Sequence, residues 1–387
     1  MEITILCKVV DNYGDIGVAY RLARRLQKIS KENINLIVDD LQAFNKICNS
    51  VSLEKSFQVV EGFSIYNWKD YDFCYSDFSK NDGEKLAVIL ECFQCGRPDW
   101  MEKILFEDKL KRTVQVIMID YLTAEPYAET FHCLKSLTRS AKVQKVNFMP
   151  GFTDKTGGLI IEEDWKKLPE RKKDGGILVF TYERNWQPVV QALEEVQTAQ
   201  KTQAKNNITK EKTILVAQGR GQKSFLDAVN AVSKKICEGT ENKGGRLKVQ
   251  ALPYLNQYEW DKLLRECSVL FIRGEESLSR ACLSGIPFVW HAYPQSEEYQ
   301  LVKVKALLDR MKQHFKPEDF EIIERLWLNI NSPEAEISDE EMKESCRLFL
   351  EKADDLCYGF RDFSLSLIKN GDLVQNLMTF IYKISII

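Results

Sequence analysis

Asp11 and Asp15 stand close together in a glycine-containing turn behind the first apolar run of the chain. Residues 3–10 predict a strand because they are apolar and β-rich, and residues 18–29 predict a helix because their apolar side chains recur at helical spacing. Open α/β sheets bind their ligands at the carboxyl ends of strands, so both carboxylates are candidates for a site. A carboxylate there can accept a proton or hold a cationic group. Asp15 can equally serve only as the cap of the helix.

A second candidate group lies in residues 252–260, which follow a predicted strand and lead into a predicted helix. Tyr254, Tyr258 and Trp260 are closely spaced on the predicted loop and first helical turn. Their rings can stack a nucleobase, and the amide of Gln257 can read the polar edge of that base. The same rings can also be ordinary core residues at the start of a helix, and their spacing does not separate the two interpretations.

The Arg-Gly-Glu-Glu-Ser segment at 273–277 lies between a predicted strand and a helix predicted to begin at Leu278. Unpaired N–H groups and the helix dipole favour an anion at such a helix start, which makes the segment a candidate diphosphate site. Arg273 can offer a forked contact and Ser277 a hydroxyl. Because two glutamates would repel a phosphate, we expect Glu275 to face the transferred sugar or a cationic acceptor. The acids can alternatively serve only to complement the helix dipole.

The remaining reactive side chains are interpreted as structural. His291 follows an aromatic run and is a candidate general base, but a lone histidine in that position is more often structural. Cys92 and Cys95 form a Cys-x-x-Cys pair without a second Cys/His pair at ligand spacing, which favours buried thiols over zinc or redox chemistry. The 11 cysteines are scattered through apolar segments, a pattern typical of reduced thiols.

The composition is that of an ordinary globular protein, with 44% hydrophobic and 29% charged residues. Its 387 residues are enough for two domains. A net charge of −3 and the lack of a basic stripe argue against nucleic-acid binding. Apolar runs are too short to span a membrane, and the first residues lead directly into a strand, so a cytoplasmic location is expected.

The first half alternates predicted strands with helical stretches, which indicates a largely parallel, doubly wound α/β sheet. Its strands are predicted at 3–10, 35–38, 57–60, 73–75, 86–90, 114–119 and 146–148. The mostly charged stretch 153–174 predicts a crossing into a second unit. That unit has predicted strands at 176–180, 213–217, 247–251, 269–272 and 288–290, with a helix from about Trp186.

Three further segments complete the predicted organisation. The polar run 198–212 is interpreted as a solvated surface excursion, and residues from 302 onward predict helices only. Residues 360–384 are expected to cross back onto the first domain. The predicted domains are therefore residues 1–172, completed by a helix at about 360–387, and residues 173–359. Two Rossmann-like halves facing across a cleft suit an enzyme that joins two dissimilar substrates.

These segments together resemble a known family, the protein-arginine rhamnosyltransferases (EarP) that modify elongation factor P. The resemblance covers nearly the whole chain. The Asp-Asn-Tyr-Gly-Asp-Ile-Gly and Arg-Gly-Glu-x-Ser strings are specific as a pair, in this order and at this separation. The landmarks are residues 9–17, 90–95, 121–125, 150–152, 180–183, 252–254, 271–277 and 287–295.

The resemblance implies an inverting GT-B glycosyltransferase that uses dTDP-β-L-rhamnose as donor, with no metal and no other cofactor. It implies that the N-terminal domain holds elongation factor P and the C-terminal domain holds the nucleotide sugar. Asp15 then corresponds to the base that activates the acceptor guanidine, Asp11 to its partner, and Glu275 to the family's essential glutamate. The implied donor-binding residues are Tyr13, Gly14, Phe180, Tyr182, Tyr254, Gln257, Trp260, Arg273, Glu276 and Ser277.

The chain departs from the family pattern at a few positions. Glu276 stands where aspartate is more frequent, while Tyr254 and Trp260 stand where phenylalanine is frequent. Pro126 and Cys92 are further differences on the acceptor side.

Two other functions remain open at this point: a similar glycosyltransferase with another sugar nucleotide and a small or lipid acceptor, or a non-catalytic nucleotide- or protein-binding module. A dehydrogenase is disfavoured, because the first turn lacks Gly-x-Gly-x-x-Gly.

Overall fold

The computed structural model describes residues 1–10, 14–108, 110–167, 170–203, 211–238 and 247–385. The chain divides into two compact units. The first contains residues 1–163 together with the C-terminal residues 367–387, and the second contains residues 164–366. Within the described ranges, no helix has both the length and the apolar character needed to cross a bilayer.

The first unit is built on a sheet of eight strands in the order β3-β4-β2-β1-β5-β6-β8-β7. The inner strands are parallel, and only the outer pairs β3/β4 and β7/β8 are antiparallel. Parallel strands are covered on both faces, which explains why most residues of the inner strands are apolar. The strands are β1 Glu2–Cys7, β2 Asn33–Val38, β3 Phe57–Val60, β4 Phe63–Asn67, β5 Val88–Cys92, β6 Val114–Ile119, β7 Lys135–Ser136 and β8 Val143–Phe148.

Five helices connect these strands: α1 Gly14–Ile29, α2 Leu41–Ile47, α3 Tyr71–Phe78, α4 Asp99–Phe106 and α5 Tyr127–Phe131. The apolar face of α1 packs into the main core of the unit through Ile16, Ala19, Leu22 and Leu26. Because α1 follows β1 directly, its first turn lies at the carboxyl end of that strand. The predicted strand and helix are confirmed, although β1 ends at Cys7 and the helix already begins at Gly14. Residues 11–13 of the predicted turn lie outside the described residues.

The second unit contains a fully parallel sheet in the order β11-β10-β9-β12-β13. Its strands are β9 Ile177–Val179, β10 Ile214–Val216, β11 Val249–Ala251, β12 Val269–Arg273 and β13 Phe288–His291. The helices are α6 Gln187–Gln203, α7 Gln222–Glu238, α8 Gln257–Glu266, α9 Glu275–Ser284, α10 Tyr299–Met311, α11 Pro317–Asn331 and α12 Asp339–Lys369. The helical C-terminal part is thus confirmed, whereas α9 begins three residues before the predicted Leu278. Of the predicted polar run, residues 204–210 lie outside the described residues.

The last helix, α13 Leu373–Ser385, belongs to the first unit, and an ion pair at its start attaches it there. Asp372, just before it, accepts hydrogen bonds from Arg25 Nε at 3.0 Å and from the Ile161 N–H at 2.9 Å. Two more arginines of α1, Arg21 and Arg24, pair with the buried Glu162. Three arginines of α1 therefore form ion pairs inside the first unit.

One predicted strand is wrong: residues 73–75 lie inside the helix α3. The Asp70 side chain caps this helix by accepting from the Phe73 N–H at 3.3 Å, and Cys74 and Phe78 are buried one turn apart. Helical spacing and a capping aspartate outweigh the β propensity of a short aromatic run. The strands β4 and β7 were not predicted, and β3 is an antiparallel edge strand.

Candidate active site

Four of the predicted donor residues come together at the carboxyl edge of the second sheet. The Arg273 guanidinium lies 4.5 Å from the ring centroid of Phe180 and 4.6 Å from that of Tyr182. Trp260 meets Phe180 edge to face, with 5.1 Å between the centroids. Phe180 and Tyr182 follow β9, Arg273 ends β12, and Trp260 lies in the first turn of α8. Parallel strands with a shared carboxyl edge thus join residues that are distant in sequence.

Three polar atoms around this group are buried and have no hydrogen-bond partner among the described residues. They are Arg273 Nε, Thr181 Oγ1 and Trp260 Nε1. A buried polar group without a partner is costly, so native proteins rarely keep such groups without a purpose. Two N–H donors and a hydroxyl on residues of these strand ends and of α8 suit a ligand that carries oxygen acceptors.

The start of α9 has the geometry expected of an anion site. Gly274 precedes the helix with φ at +73°, a conformation that favours glycine, and it provides no capping side chain. Glu275, Glu276 and the buried Ser277 all lie in the first turn of this helix. The helix dipole and the first N–H groups favour negative charge at this point, next to Arg273.

The aromatic residues before and within α8 are not core residues, and Trp260 is half-buried. Tyr254 and Tyr258 are 43% and 58% exposed, which removes the core interpretation for both rings. Asn256 caps α8 by accepting from the Glu259 N–H at 2.9 Å. In turn, the Glu259 carboxylate accepts from the Asn256 N–H at 3.2 Å. This capping box fixes the first turn, which carries Gln257 and Trp260.

Sequence reasoning missed Arg220, Glu183 and Tyr293, which lie beside the same group. The Arg220 Nε is 3.2 Å from Glu183 Oε1, and its guanidinium lies 5.9 Å from the centroid of Tyr182 and 5.7 Å from that of Tyr293. The available signal was the Gly-Arg-Gly string at 219–221, between a predicted strand and a helix.

His291 is a structural residue. Burial and the charges of Arg184 and Arg273 lower its pKa from 6.5 to about 3, so the ring is neutral at physiological pH. Its Nδ1 accepts from the Tyr182 N–H at 3.3 Å, and its ring packs edge to face against Tyr182 and Trp186. The imidazole therefore supports the Tyr182 loop.

The pKa of His291 predicts a measurable dependence of stability on pH. Below pH 6.5 the unfolded chain binds a proton at this residue while the folded chain does not, so acidification favours unfolding. Between pH 7.5 and 5 the free energy of unfolding should fall by about 2 kcal/mol through this residue alone. The His291→Asn variant keeps a hydrogen-bond acceptor near the position of Nδ1. Its free energy of unfolding should fall by about 2 kcal/mol less than that of the wild type over the same pH range. Urea unfolding at both pH values checks this, and equal losses in the two proteins would contradict it.

In the first unit, Asp15 lies in the first turn of α1 and is 3% exposed. Its Oδ2 accepts from the Val10 N–H at 2.9 Å, and Asp39 Oδ1 accepts from the Val9 N–H at 2.8 Å. Two carboxylates thus hold the chain that leaves β1. Asp11 and Tyr13 lie outside the described residues, and Gly14 is the first residue of α1.

The loops after β5 and β6 add aromatic and polar groups to the same sheet edge. Phe93 stacks on Tyr121 with centroids 4.9 Å apart, and Gln94 Nε2 donates to both carboxylate oxygens of Asp120 at 3.0 and 3.2 Å. Phe93 and Gln94 have φ values of +56° and +53°, a strained conformation for residues other than glycine. Strain of this kind clusters at functional sites.

The structure describes the side chains of ten cysteines, all except Cys237, and these ten are unpaired thiols. Burial raises the pKa of Cys7 and Cys92 well above the usual range and that of Cys95 to about 12. These groups therefore stay protonated at neutral pH, whereas metal binding and nucleophilic attack need the thiolate. Among the described residues, no group of three or more His, Cys, Asp or Glu side chains is arranged to hold a metal ion.

Two parallel α/β units with polar groups at the carboxyl edges of their sheets define the class of this protein. A solved structure on EarP-mediated arginine glycosylation of translation elongation factor EF-P covers 99% of this chain and 99% of its own, with a TM-score of 0.57 and 21% identity. The fold is that of the GT-B glycosyltransferases. The model of a family described as Elongation-Factor P (EF-P) rhamnosyltransferase EarP matches residues 3–382, so the chain belongs to the EarP family.

Curated relatives agree with the family match over most of their length. The protein-arginine rhamnosyltransferase of Shewanella oneidensis is 28% identical, over 98% of this chain and 97% of its own. That of Pseudomonas aeruginosa is 30% identical, over 85% of this chain and 86% of its own. The chain is therefore an enzyme, a glycosyltransferase of the protein-arginine rhamnosyltransferase kind, as the sequence landmarks predicted.

Proposed function

We propose that this enzyme transfers L-rhamnose from dTDP-β-L-rhamnose to one arginine side chain of elongation factor P, with inversion at the anomeric carbon. The observation that carries the donor half is the Arg273 guanidinium, which is in contact with Phe180 and Tyr182 beside the start of α9. The acceptor half rests on Asp15 at the carboxyl end of β1 and on the family match.

On the donor side, the second unit binds the nucleotide. Arg273 and the first N–H groups of α9 bind the diphosphate, with Ser277 as a hydroxyl donor and Glu276 nearby. Phe180, Trp260 and the exposed Tyr254 offer rings for thymine, and Gln257 offers an amide for its polar edge. The Tyr182 N–H donates to His291 Nδ1, and the Tyr182 ring packs against the Arg273 guanidinium and holds it in place.

On the acceptor side, the first unit provides the base. A guanidinium stays protonated in proteins, so it is a poor nucleophile until a carboxylate orients it and takes a proton. Asp15 has this role, and Asp11, which lies outside the described residues, is the proposed partner. The Val10 N–H fixes the orientation of the Asp15 carboxylate.

The reaction is a single displacement. An arginine nitrogen forms a bond to the anomeric carbon as the bond from that carbon to the diphosphate oxygen breaks. Asp15 takes the proton from the nitrogen, and dTDP leaves with the electron pair, stabilised by Arg273 and the start of α9. Attack from the face opposite the diphosphate gives α-rhamnosyl arginine. The proposed role of Glu275, in the first turn of α9, is to stabilise positive charge on the sugar.

Mass spectrometry of elongation factor P, incubated with the enzyme and dTDP-β-L-rhamnose, tests the proposal. We expect the mass of one deoxyhexose on a single arginine peptide, and α configuration by NMR of that peptide. Transfer from UDP-glucose but not from dTDP-β-L-rhamnose would refute the donor, and an unmodified factor with a modified small acceptor would refute the acceptor. Since a translation factor works in the cytoplasm, the proposal implies the same location for the enzyme.

A further inference from the structure

Arg220 lies on the loop between β10 and α7, and the backbone of this loop is pressed against the end of β9. The Gly221 N–H donates to the Thr181 carbonyl oxygen at 3.1 Å, and a Cβ at Gly221 would lie 2.3 Å from that oxygen. A Cβ at Gly219 would lie 3.0 Å from Arg273 Nη2. Only glycines allow this close approach, so the loop gives the Arg220 side chain a fixed base next to Arg273.

The Arg220 side chain shares its neighbours with the donor group. Its guanidinium lies over Tyr182 and Tyr293, and Tyr182 is also the ring that contacts Arg273. Hydrogen bonds with Tyr293 and Glu183 raise the pKa of Arg220. Two arginines from different strand ends therefore converge on one tyrosine, in a region where anionic ligands are favoured.

The carboxylate of Glu183 is the anion that Arg220 binds in this structure. The pair is well exposed, with 49% of the arginine side chain and 50% of the glutamate side chain accessible. Burial raises the pKa of Glu183, but its hydrogen bonds and the charges of Arg220 and Arg273 lower it overall, so the group is ionised at neutral pH. Exposed ion pairs are weak, so Arg220 can exchange this partner at little cost.

We propose that Arg220 is a second phosphate-binding arginine and that Glu183 is an internal competitor, which a nucleoside diphosphate displaces from it. This inference rests on the proposed function, since it takes the diphosphate to lie beside Arg273. The planar fork of an arginine fits phosphate oxygens better than a single exposed carboxylate oxygen. Glu183 therefore lowers the affinity for a diphosphate through Arg220, and it leaves the affinity for the nucleoside unchanged.

Calorimetric titration of the full chain with dTDP and with thymidine tests this exchange. Arg220→Ala should weaken dTDP binding about tenfold or more, whereas Glu183→Gln should strengthen it about 2- to 5-fold. In the double variant, Glu183→Gln should have no effect, because the arginine on which it acts is gone. Thymidine affinity should be the same in all four proteins. Arg347→Ala with Glu344→Gln, a partly exposed pair in α12, is the matched control and should leave both affinities unchanged.

The outcomes separate this inference from the donor assignment. Wild-type protein that fails to bind dTDP would refute the donor and the exchange together. Normal dTDP binding that Arg220→Ala leaves intact would refute the exchange alone. Weaker dTDP binding by Glu183→Gln would show that Glu183 positions Arg220 instead of competing for it. Stronger binding by Glu183→Gln in the Arg220→Ala background would mean that Glu183 repels the ligand directly, which also overturns the proposal.

Discussion

Arg273→Lys is expected to lower kcat/KM for the donor by about 10- to 100-fold, and Arg273→Ala by about 100-fold or more. Lysine keeps the positive charge, but it loses the planar fork and the packing against Phe180 and Tyr182. Initial rates of transfer at varied donor concentration measure this effect. Calorimetry with dTDP should show a parallel loss of affinity, since the proposed role of Arg273 is to bind the diphosphate both before and during the reaction.

Arg347→Lys is the control for a general effect of losing an arginine in this unit. Arg347 lies on α12, is partly exposed, and pairs with Glu344 and Glu351, each at 2.7 Å. Its replacement should leave kcat/KM unchanged. If Arg273→Ala retains dTDP affinity within twofold while it remains folded by thermal unfolding, the diphosphate assignment is wrong.

Much of the fold follows from the sequence because parallel strands are buried on both faces. The six residues of β6, 114–119, are apolar except for Gln115, and the strand was predicted with its correct ends. By contrast, β4 follows β3 through the two-residue turn Glu61–Gly62, with φ values of +50° and +87°. This is the geometry of a tight hairpin, but Glu-Gly is a weaker signal than Asn-Gly, and the strand was missed. The strand β7 has only two residues, Lys135 and Ser136, which are too few to show an alternation of apolar and polar side chains.

The candidate donor site was predictable where a strand end and a helix start are adjacent in sequence. Arg273 and Gly274 stand at such a junction, and the structure places them at one. The pairing of Arg220 with Glu183 joins loops after different strands, and only the order of strands in the sheet brings these loops together. The environment of His291 is likewise tertiary, because the arginines that lower its pKa come from other elements. The pattern of a single sequence does not show which distant residues the fold brings together in this way.

Asp15→Asn is expected to lower kcat by about 10²- to 10⁴-fold, the usual contribution of a general base. Asparagine keeps an oxygen that can accept from the Val10 N–H, so the loop after β1 should keep its position. The amide cannot take the proton that the arginine nitrogen loses on attack. The KM for the donor and the affinity for dTDP should stay unchanged, because Asp15 is not among the residues proposed to bind the donor. Single-turnover rates with elongation factor P separate this chemical step from product release.

Asp39→Asn provides a matched comparison, because Asp39 accepts from the adjacent Val9 N–H at 2.8 Å and also follows a strand. If the carboxylates only hold the loop, the two asparagine variants should behave alike, since each keeps its acceptor oxygen. If Asp15 is the base, only Asp15→Asn should lose kcat, while both variants unfold at similar temperatures. Normal turnover by a folded Asp15→Asn protein would refute the assignment of Asp15 as the base, because an asparagine amide cannot replace the carboxylate as proton acceptor.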